Sequence, residues 1–198
     1  MTKLTQLIPK LANYQVILGS GSPRRKELLI GLGIDFIVRK KEVEEDIPEE
    51  VSAYEAAEFL ARKKSLGQDL APNELLITSD TTVVLENKIY NKPADVAEAT
   101  QMLEELSGST HAVITGVCLR TAEKEMSFSE TALVTLKKMT SEEISFYIQA
   151  YQPFDKAGAY GIQEWIGMAC VTRIEGDYYA VMGLPTFRIY QSLKELLG

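Results

Sequence analysis

Residues 14–33 of this chain are YQVILGSGSPRRKELLIGLG, and this stretch decides the class of fold. A short apolar run from Tyr14 to Gly19 leads into a Gly/Ser/Pro cluster, and leucines with helical spacing follow. These patterns predict a strand, a tight loop and a helix. Ser22 is a suitable N-cap, Pro23 suits the first helical position, and Gly33 ends the helix.

Further strands and helices alternate along the rest of the chain. Strands are predicted at Asp35 to Arg39, at Leu75 to Ser79 with Asp80 at or near the strand end, and at His111 to Leu119 and Thr131 to Leu136 as antiparallel neighbours. Helices are predicted from a capping box at Ser52–Glu55 to Leu66, from Ala94 to Leu106, from a capping box at Thr140–Glu143 to Ala150, and from Pro185 to Leu197. A hairpin is predicted from Gly167 to Ile174 and Tyr178 to Met182. Helices among early strands and hairpins late in the chain favour an α/β fold with a mixed sheet flanked by helices.

The composition is that of an ordinary folded protein of 198 residues, with 45% hydrophobic and 25% charged residues. We expect a single domain over residues 1–198, with residues 1–13 as an N-terminal extension. No apolar run approaches the ~20 residues of a membrane helix, and the start does not resemble a signal sequence, so a cytoplasmic location is expected. The net charge of −7 argues against general binding of polymeric nucleic acid, so any phosphate site must be local.

Two cysteines and one histidine restrict the chemistry further. Cys118 and Cys170 each lie in an apolar, strand-like run, which favours buried reduced thiols over a disulfide or a metal pair. His111 is the sole histidine, so a multi-histidine metal site is excluded. A Ser-His-Asp triad would depend on this one residue.

The loop Ser20-Gly-Ser-Pro-Arg-Arg25 is the first candidate for function. Backbone amides at a helix N-terminus, two hydroxyls and two guanidinium groups converge there, which is typical of a phosphate site. The loop lacks the Gly-Lys-Ser/Thr of a Walker A motif, and Arg24 stands where a Rossmann fingerprint has its third glycine. A glycine-rich turn followed by surface arginines is the alternative that this segment alone leaves open.

Carboxylates and lysines near the ends of predicted elements form a second candidate set, Glu45, Lys64, Asp80 and Lys92. Cleavage of a polyphosphate needs a divalent ion, a positioned water and cations that offset developing charge. Carboxylates and lysines together meet these needs. Taken singly, Glu45 and Lys64 also fit a solvated surface.

The segment Asp155-Lys-Ala-Gly-Ala-Tyr-Gly-Ile-Gln163 is the third candidate. Its two glycines leave room for a ligand close to the backbone, while Lys156 and Gln163 project polar groups. The amide of Gln163 offers a donor and an acceptor, which match the imide of uracil or thymine. An ordinary glycine-rich loop is again the alternative.

Six motifs, spread in order between Val16 and Leu197, resemble the Maf family of nucleotide pyrophosphatases: SGSPRR, SDTTVV, NKP, LSGSTHAVITGV, DKAGAYGIQ and VMGLP. The resemblance implies an α/β fold of the Maf and inosine triphosphatase kind, with a mixed, elongated sheet in two lobes around a cleft. It also implies hydrolysis of a nucleoside triphosphate to the monophosphate and pyrophosphate with a divalent cation, Mg²⁺ or Mn²⁺.

Carried onto this sequence residue by residue, the resemblance assigns three kinds of role. Asp80 is the proton acceptor for the attacking water, and the metal and phosphate environment is completed by Glu45, Lys64 and Lys92, with Glu45 and Asp80 as metal ligands. The triphosphate is held by Ser20, Ser22 and Arg25. The branch of the family that acts on dTTP and UTP, rather than the branch that acts on 7-methyl-GTP, is similar to this chain at Arg24, Thr81 and Gln163.

Two features depart from the pattern of the family. Glu164-Trp165 follows Gln163 where the family usually has glycine, and the first dozen residues have no clear counterpart. The expected role is housekeeping of the nucleotide pool. The sequence leaves open a homodimer and two other functions: a non-enzymatic, nucleotide-binding regulator of septum formation, and a pyrophosphatase for other modified nucleotides such as ITP or XTP.

Overall fold

The computed structural model describes residues 3–198, and these residues form seven strands and seven α-helices. The strands are β1 (Gln15–Leu18), β2 (Ile37–Val38), β3 (Glu74–Leu85), β4 (Lys88–Tyr90), β5 (Thr110–Arg120), β6 (Glu125–Leu136) and β7 (Val171–Glu175). The helices are α1 (Pro23–Gly31), α2 (Ala56–Leu66), α3 (Val96–Leu106), α4 (Ser141–Tyr151), α5 (Trp165–Ala169), α6 (Tyr178–Met182) and α7 (Thr186–Leu197).

All seven strands belong to one mixed sheet, which confirms the predicted class of fold. The order is β2-β1-β3-β5-β6-β7, and the short β4 pairs with the end of β3. β1 runs parallel to β2 and β3, whereas the other pairs are antiparallel. The pairing of β1 with β3 stops at Leu18 and Ile77, so β3 continues past the carboxyl end of β1. In α/β sheets such an edge commonly binds ligands.

Three apolar clusters lie along the sheet, and the two larger ones, called here the first and second core, are built around different stretches of β3 and β5. β3 contributes Ile77 to the first core and Val83 to the second. β5 likewise contributes Val117 to the first and Val113 to the second. Because the same two long strands pass through both cores, a continuous sheet joins the two cores.

Helix α2 lies directly on the middle of this sheet. Its Ala57 and Ala61 are fully buried, and the Thr78 hydroxyl of β3 donates a hydrogen bond of 2.6 Å to the carbonyl oxygen of Ala61. A Cβ at Gly116 of β5 would overlap the backbone of α2 at Ala57. Glycine at 116 therefore sets how closely α2, which carries Lys64 in its last turn, approaches the sheet.

Local capping signals explain one helix start fully and another in part. Thr140 and Glu143 form the predicted capping box of α4, with both hydrogen bonds present. At the other predicted box, Glu55 accepts from the amide and the hydroxyl of Ser52, but Ser52 does not cap a helix. The Ser52 carbonyl oxygen instead accepts from the amides of Glu55 and Ala56, so a turn precedes α2, which begins at Ala56.

The predicted position of Asp80 in the sheet is wrong. Asp80 lies in the middle of β3, opposite Gly116 of β5, rather than at a strand end. The threonines Thr81 and Thr82 keep the chain extended into Val83, since β-branched residues favour strands. Pairing of β3 with β5 thus continues both before and after Asp80 along the strand.

The hairpin predicted near the C-terminus is also wrong. Tyr178–Met182 is helix α6, and Asp177 caps it by accepting a hydrogen bond from the amide of Tyr179. Trp165–Ala169 is likewise helical, and Val171–Glu175 finds its strand partner in β6. Short apolar runs do not distinguish a strand from a buried helical turn, and tertiary pairing decides between them.

The N-terminal segment packs on the first core. Leu4, Ile8 and Leu11 are buried there, and the amide of Leu4 donates a 3.0 Å hydrogen bond to the carbonyl oxygen of Gly33. Residues 1–2 of the predicted extension lie outside the described residues. The assignment of residues 1–198 to a single domain stays a prediction.

The structure bears on two further features, the state of the cysteines and the hydropathy of the helices. Cys118 and Cys170 are free and buried, which confirms the predicted thiols. Across residues 3–198, no helix is both long enough and apolar enough to cross a bilayer.

Candidate functional site

One cleft of about 530 Å³ opens where β3 extends beyond β1. All ten site residues predicted from the sequence line it, although they come from separate segments. The loop before α1 contributes Ser20, Ser22, Arg24 and Arg25. The other elements contribute Glu45 before α2, Lys64 in α2, Asp80 and Thr81 in β3, Lys92 after β4, and Gln163 before α5.

The loop before α1 with the first turn of that helix, residues 20–25, lines one side of the cleft, and we call it the anion-binding wall for the role predicted from its sequence. The hydroxyl oxygen of Ser20 accepts from the amide of Ser22 at 3.3 Å and from Nη1 of Arg25 at 3.1 Å. Ser22 stands at the predicted N-cap, but its side chain makes no capping hydrogen bond. Its hydroxyl and the unpaired amides of the first turn of α1 are therefore available to an anion.

Arg25 joins this loop to the rest of the site. Its Nε donates to the carbonyl oxygen of Gly183 at 2.8 Å, and its Nη2 donates to the hydroxyl oxygen of Thr81 at 3.1 Å. Burial lowers the pKa of Arg25, and the negative charges of Asp80 and Glu45 oppose that effect. An arginine side chain stays protonated at neutral pH, so the cleft keeps a fixed positive charge at this point.

Replacing Arg25 with lysine is expected to lower the free energy of unfolding by about 1–3 kcal/mol, because lysine keeps the charge but cannot reach three acceptors in a planar fork. Thermal denaturation followed by circular dichroism measures the change. The matched control is Arg62→Lys, since Arg62 makes an exposed ion pair with Glu125. Equal midpoints for the two variants would show that the bonds of Arg25 are not structural.

Asp80, Lys64 and Glu45 form a charged cluster at the centre of the cleft. Nζ of Lys64 lies 2.5 Å from Oδ1 of Asp80 and 2.8 Å from Oε1 of Glu45. Burial alone would raise the pKa of Glu45, but the hydrogen bond and charge of Lys64, with the charges of Lys92 and Arg25, leave this pKa lowered. Glu45 therefore stays ionised near neutral pH.

The two carboxylates fit a divalent cation only together with a substrate. No group of three or more His, Cys, Asp and Glu side chains with metal-binding geometry occurs within residues 3–198. Mg²⁺ is commonly bound by one or two carboxylates, with phosphate oxygens and waters completing the shell. Asp80 and Glu45, which share one ammonium group, match that donor set.

The side chains predicted to select the base lie in different settings. Nη1 of Arg24 is 3.1 Å from Oδ2 of Asp155. The Thr81 hydroxyl accepts from Arg25 and lies 2.9 Å from the Thr115 hydroxyl, so it is engaged on both sides within the protein. The Gln163 side chain is exposed at the cleft and has no hydrogen bond to another described residue.

Three side chains in or beside the cleft were not assigned a role from the sequence. The Thr115 hydroxyl donates to the carbonyl oxygen of Ala180 at 2.7 Å, which continues the row from Arg25 through Thr81. Lys156 is buried and pairs with Asp155 and Glu164. Lys40 lies over the Gly21 backbone of the anion-binding wall. In the sequence, Lys156 stood out as a polar residue inside the DKAGAYG segment, and Lys40 as part of the Lys-Lys pair at 40–41.

His111 takes no part in a triad. Its Nε2 lies 2.7 Å from the hydroxyl of Tyr160 in the buried interior, and His111 does not line the cleft. Burial lowers the pKa of His111 to about 4, so the ring is neutral near pH 7. A phenol, rather than a serine, is its partner.

Comparison with known proteins shows the family of this chain. A family model described as Maf-like protein matches residues 15–196. The chain belongs to the Maf family. It is 46% identical over 193 residues to a Bacteroides thetaiotaomicron protein named dTTP/UTP pyrophosphatase, with 96% of this chain and 100% of that protein covered.

Two further Maf relatives carry the same name. The relative from Flavobacterium johnsoniae is 46% identical over 190 residues, covering 95% of this chain and 98% of its own. The relative from Phocaeicola vulgatus is 47% identical over 193 residues, covering 96% and 100%. These matches confirm the family predicted from the six motifs, and membership of the Maf family implies dependence on a metal ion.

Proposed function

We propose that this Maf protein hydrolyses dTTP and UTP between the α- and β-phosphates, releasing the monophosphate and pyrophosphate. The observation that carries the proposal is the Asp80–Lys64–Glu45 cluster in the same cleft as the anion-binding wall. The names of the relatives support the reaction and the substrates.

In this proposal, Asp80 accepts the proton of the attacking water. Lys64 occupies Oδ1 of Asp80, and no described residue donates a hydrogen bond to Oδ2, which is left to accept from water. The water oxygen forms a bond to the α-phosphorus as the bond from that phosphorus to the α,β-bridging oxygen breaks. Pyrophosphate leaves with the electron pair of the broken bond, and the water proton goes to Asp80.

Cationic side chains offset the charge that develops in this step. Arg25 and the hydroxyls of Ser20 and Ser22 bind the triphosphate at the N-terminus of α1. Lys64 and Lys92 lower the energy of negative charge on the equatorial and leaving oxygens. Glu45 and Asp80 would hold a divalent cation, Mg²⁺ or Mn²⁺, which supplies further stabilisation of phosphate charge when bound.

We also propose that Arg24, Thr81 and Gln163 select the base of the substrate. The Gln163 amide can donate to a carbonyl oxygen of uracil or thymine and accept from the imide N–H. Thr81 acts through Arg25, because its hydroxyl is already engaged. The activity is proposed to serve nucleotide housekeeping in the cytoplasm. Assembly of the protein into a homodimer stays a prediction.

Product analysis on UTP, dTTP, CTP, 7-methyl-GTP and ITP, with Mg²⁺ or Mn²⁺, tests the reaction. Pyrophosphate from UTP and dTTP is the expected result. Orthophosphate as the first product would contradict cleavage at the α-phosphorus. A preference for ITP would contradict dTTP and UTP as the substrates. Nucleotide binding without turnover would favour the alternative function, a non-enzymatic regulator of septum formation.

Replacing Gln163 with glutamate is expected to lower kcat/KM for UTP and dTTP about tenfold, because a carboxylate cannot donate to a base carbonyl and repels it. Steady-state kinetics on UTP and CTP measures the change, and CTP should lose less because its exocyclic amine can donate to glutamate. Gln149→Glu, on the exposed face of α4, adds the same charge outside the cleft. An unchanged UTP-to-CTP ratio in Gln163→Glu would rule out base contact by this side chain.

A further inference from the structure

The base-side turn, residues Gly161–Glu164, carries Gln163 to the cleft. The amide of Glu164 donates to the carbonyl oxygen of Gly161 at 3.0 Å, which closes the turn. The Glu164 side chain folds back against it, since a Cβ at Gly161 would lie 2.8 Å from Cδ of Glu164. The carboxylate therefore packs on the backbone that positions Gln163.

Tyr147 of α4 anchors this turn from the interior. Its hydroxyl accepts from the amide of Gly161 at 2.9 Å and donates to Oε2 of Glu164. Burial raises the pKa of the Tyr147 phenol, so the hydroxyl keeps the proton that it donates. One fully buried group thus holds both the backbone and the carboxylate of the base-side turn.

A row of alternating charges runs from Glu164 to the anion-binding wall. Oε1 of Glu164 lies 3.1 Å from Nζ of Lys156, whose side chain is only 9% exposed. Nζ of Lys156 is also 2.7 Å from Asp155, and Asp155 pairs with Arg24 at 3.1 Å. A buried ammonium group needs such partners to offset its loss of hydration. Glu164 and Asp155 share that task, and Asp155 divides its two oxygens between Lys156 and Arg24.

We infer that Glu164 is a positioning residue for nucleobase selection, which ties the turn carrying Gln163 and the side chain of Arg24 to one buried anchor, Tyr147. This inference rests on the proposed function and extends it to a residue outside the set assigned above. Glu164 acts through its neighbours and does not itself contact the substrate.

Loss of the Glu164 charge would loosen both base-selecting residues at once. Glutamine at 164 keeps the size of the side chain but leaves Lys156 with Asp155 as its one carboxylate among the described residues. Lys156 would then compete with Arg24 for Asp155. Because disordered binding groups must be ordered when the ligand binds, KM should rise while the chemical step at Asp80 is preserved.

The test compares Glu164→Gln, Tyr147→Phe and the double variant with two controls. Glu175→Gln removes a carboxylate that pairs with Arg173 on the exposed β7. Tyr151→Phe removes a hydroxyl from the same helix as Tyr147 and keeps the ring that stacks on it. Steady-state kinetics on UTP and CTP, and circular dichroism, are measured for all five variants and the wild type.

Glu164→Gln and Tyr147→Phe should each raise KM for UTP about tenfold and change kcat less than about twofold. Each should also lower the UTP-to-CTP ratio of kcat/KM several-fold. The double variant should lose less than the product of the two single effects, because both substitutions act on the same base-side turn. The controls should match the wild type. An unchanged substrate ratio in Glu164→Gln, or an equal loss of kcat for both substrates, would overturn the inference.

Two further measurements keep the test decisive. If Tyr147→Phe does not fold, Glu164→Gln and Glu164→Gly are compared instead, and a normal UTP-to-CTP ratio in both overturns the inference. If the wild type releases no pyrophosphate, the proposed function fails. Dissociation constants for UTP and CTP analogues with a methylene group between the α- and β-phosphorus then replace kinetics. A smaller difference between the analogues in Glu164→Gln supports the positioning role, and an unchanged difference overturns it.

Discussion

Asp80→Asn is expected to lower kcat for UTP and dTTP by about a hundred- to a thousandfold while the protein stays folded. Asparagine has nearly the same shape and fits the middle of β3, but it cannot accept the proton of the attacking water. It also removes one of the two carboxylates that share Lys64. Pyrophosphate release at saturating substrate measures the loss, and circular dichroism checks the fold.

The matched control for this variant is Asp69→Asn, which makes the same change of charge at an exposed position outside the cleft. It should keep the kcat of the wild type. Near-normal turnover in a folded Asp80→Asn variant would remove Asp80 as the proton acceptor and the proposed mechanism with it.

Gly116→Ala is expected to destabilise the fold and to disable the site together. The new Cβ would overlap the carbonyl group of Ala57 and the amide nitrogen of Glu58, and helix backbone cannot move aside as a flexible side chain can. Displacement of α2 would carry Lys64 away from Asp80. Overpacking of this kind costs about 1–3 kcal/mol or more, so the thermal midpoint should fall by roughly 5–10 °C.

Gly31→Ala is the matched control, because a Cβ at Gly31 meets nothing within 4 Å. It should be neutral or slightly stabilising, since alanine reduces the freedom of the unfolded chain. Thermal denaturation and UTP turnover are measured for both variants. If Gly116→Ala keeps the midpoint and kcat of the wild type, the close contact of α2 with the sheet does not determine the position of Lys64.

Much of the fold could be predicted because its signals are local. The strand, loop and helix at residues 14–33, the capping box at Thr140–Glu143 and the final helix all depend on neighbours three or four positions apart. Where local signals were weak, the prediction was wrong, as at Tyr178–Met182, which is helical rather than extended.

The candidate site was predictable as a set of residues but not as an arrangement. The residue types and their order along the chain indicated a phosphate loop, carboxylates with lysines, and an amide facing a base. Their convergence in one cleft follows from strand pairing, which the order of residues does not specify. The position of Asp80 is an example, because pairing of β3 with β5 opposite Gly116 places it in mid-strand.

The sequence by itself determined the family and the class of fold, and it predicted ten candidate site residues that line one cleft, because six ordered motifs and local capping signals are read along the chain. Tertiary structure alone decided that Lys64 lies between Glu45 and Asp80, and that Tyr147, Glu164 and Lys156 connect α4 to Arg24. The physical reason is distance along the chain. Contacts between remote segments depend on how the sheet and helices pack, and local propensities carry no record of that packing.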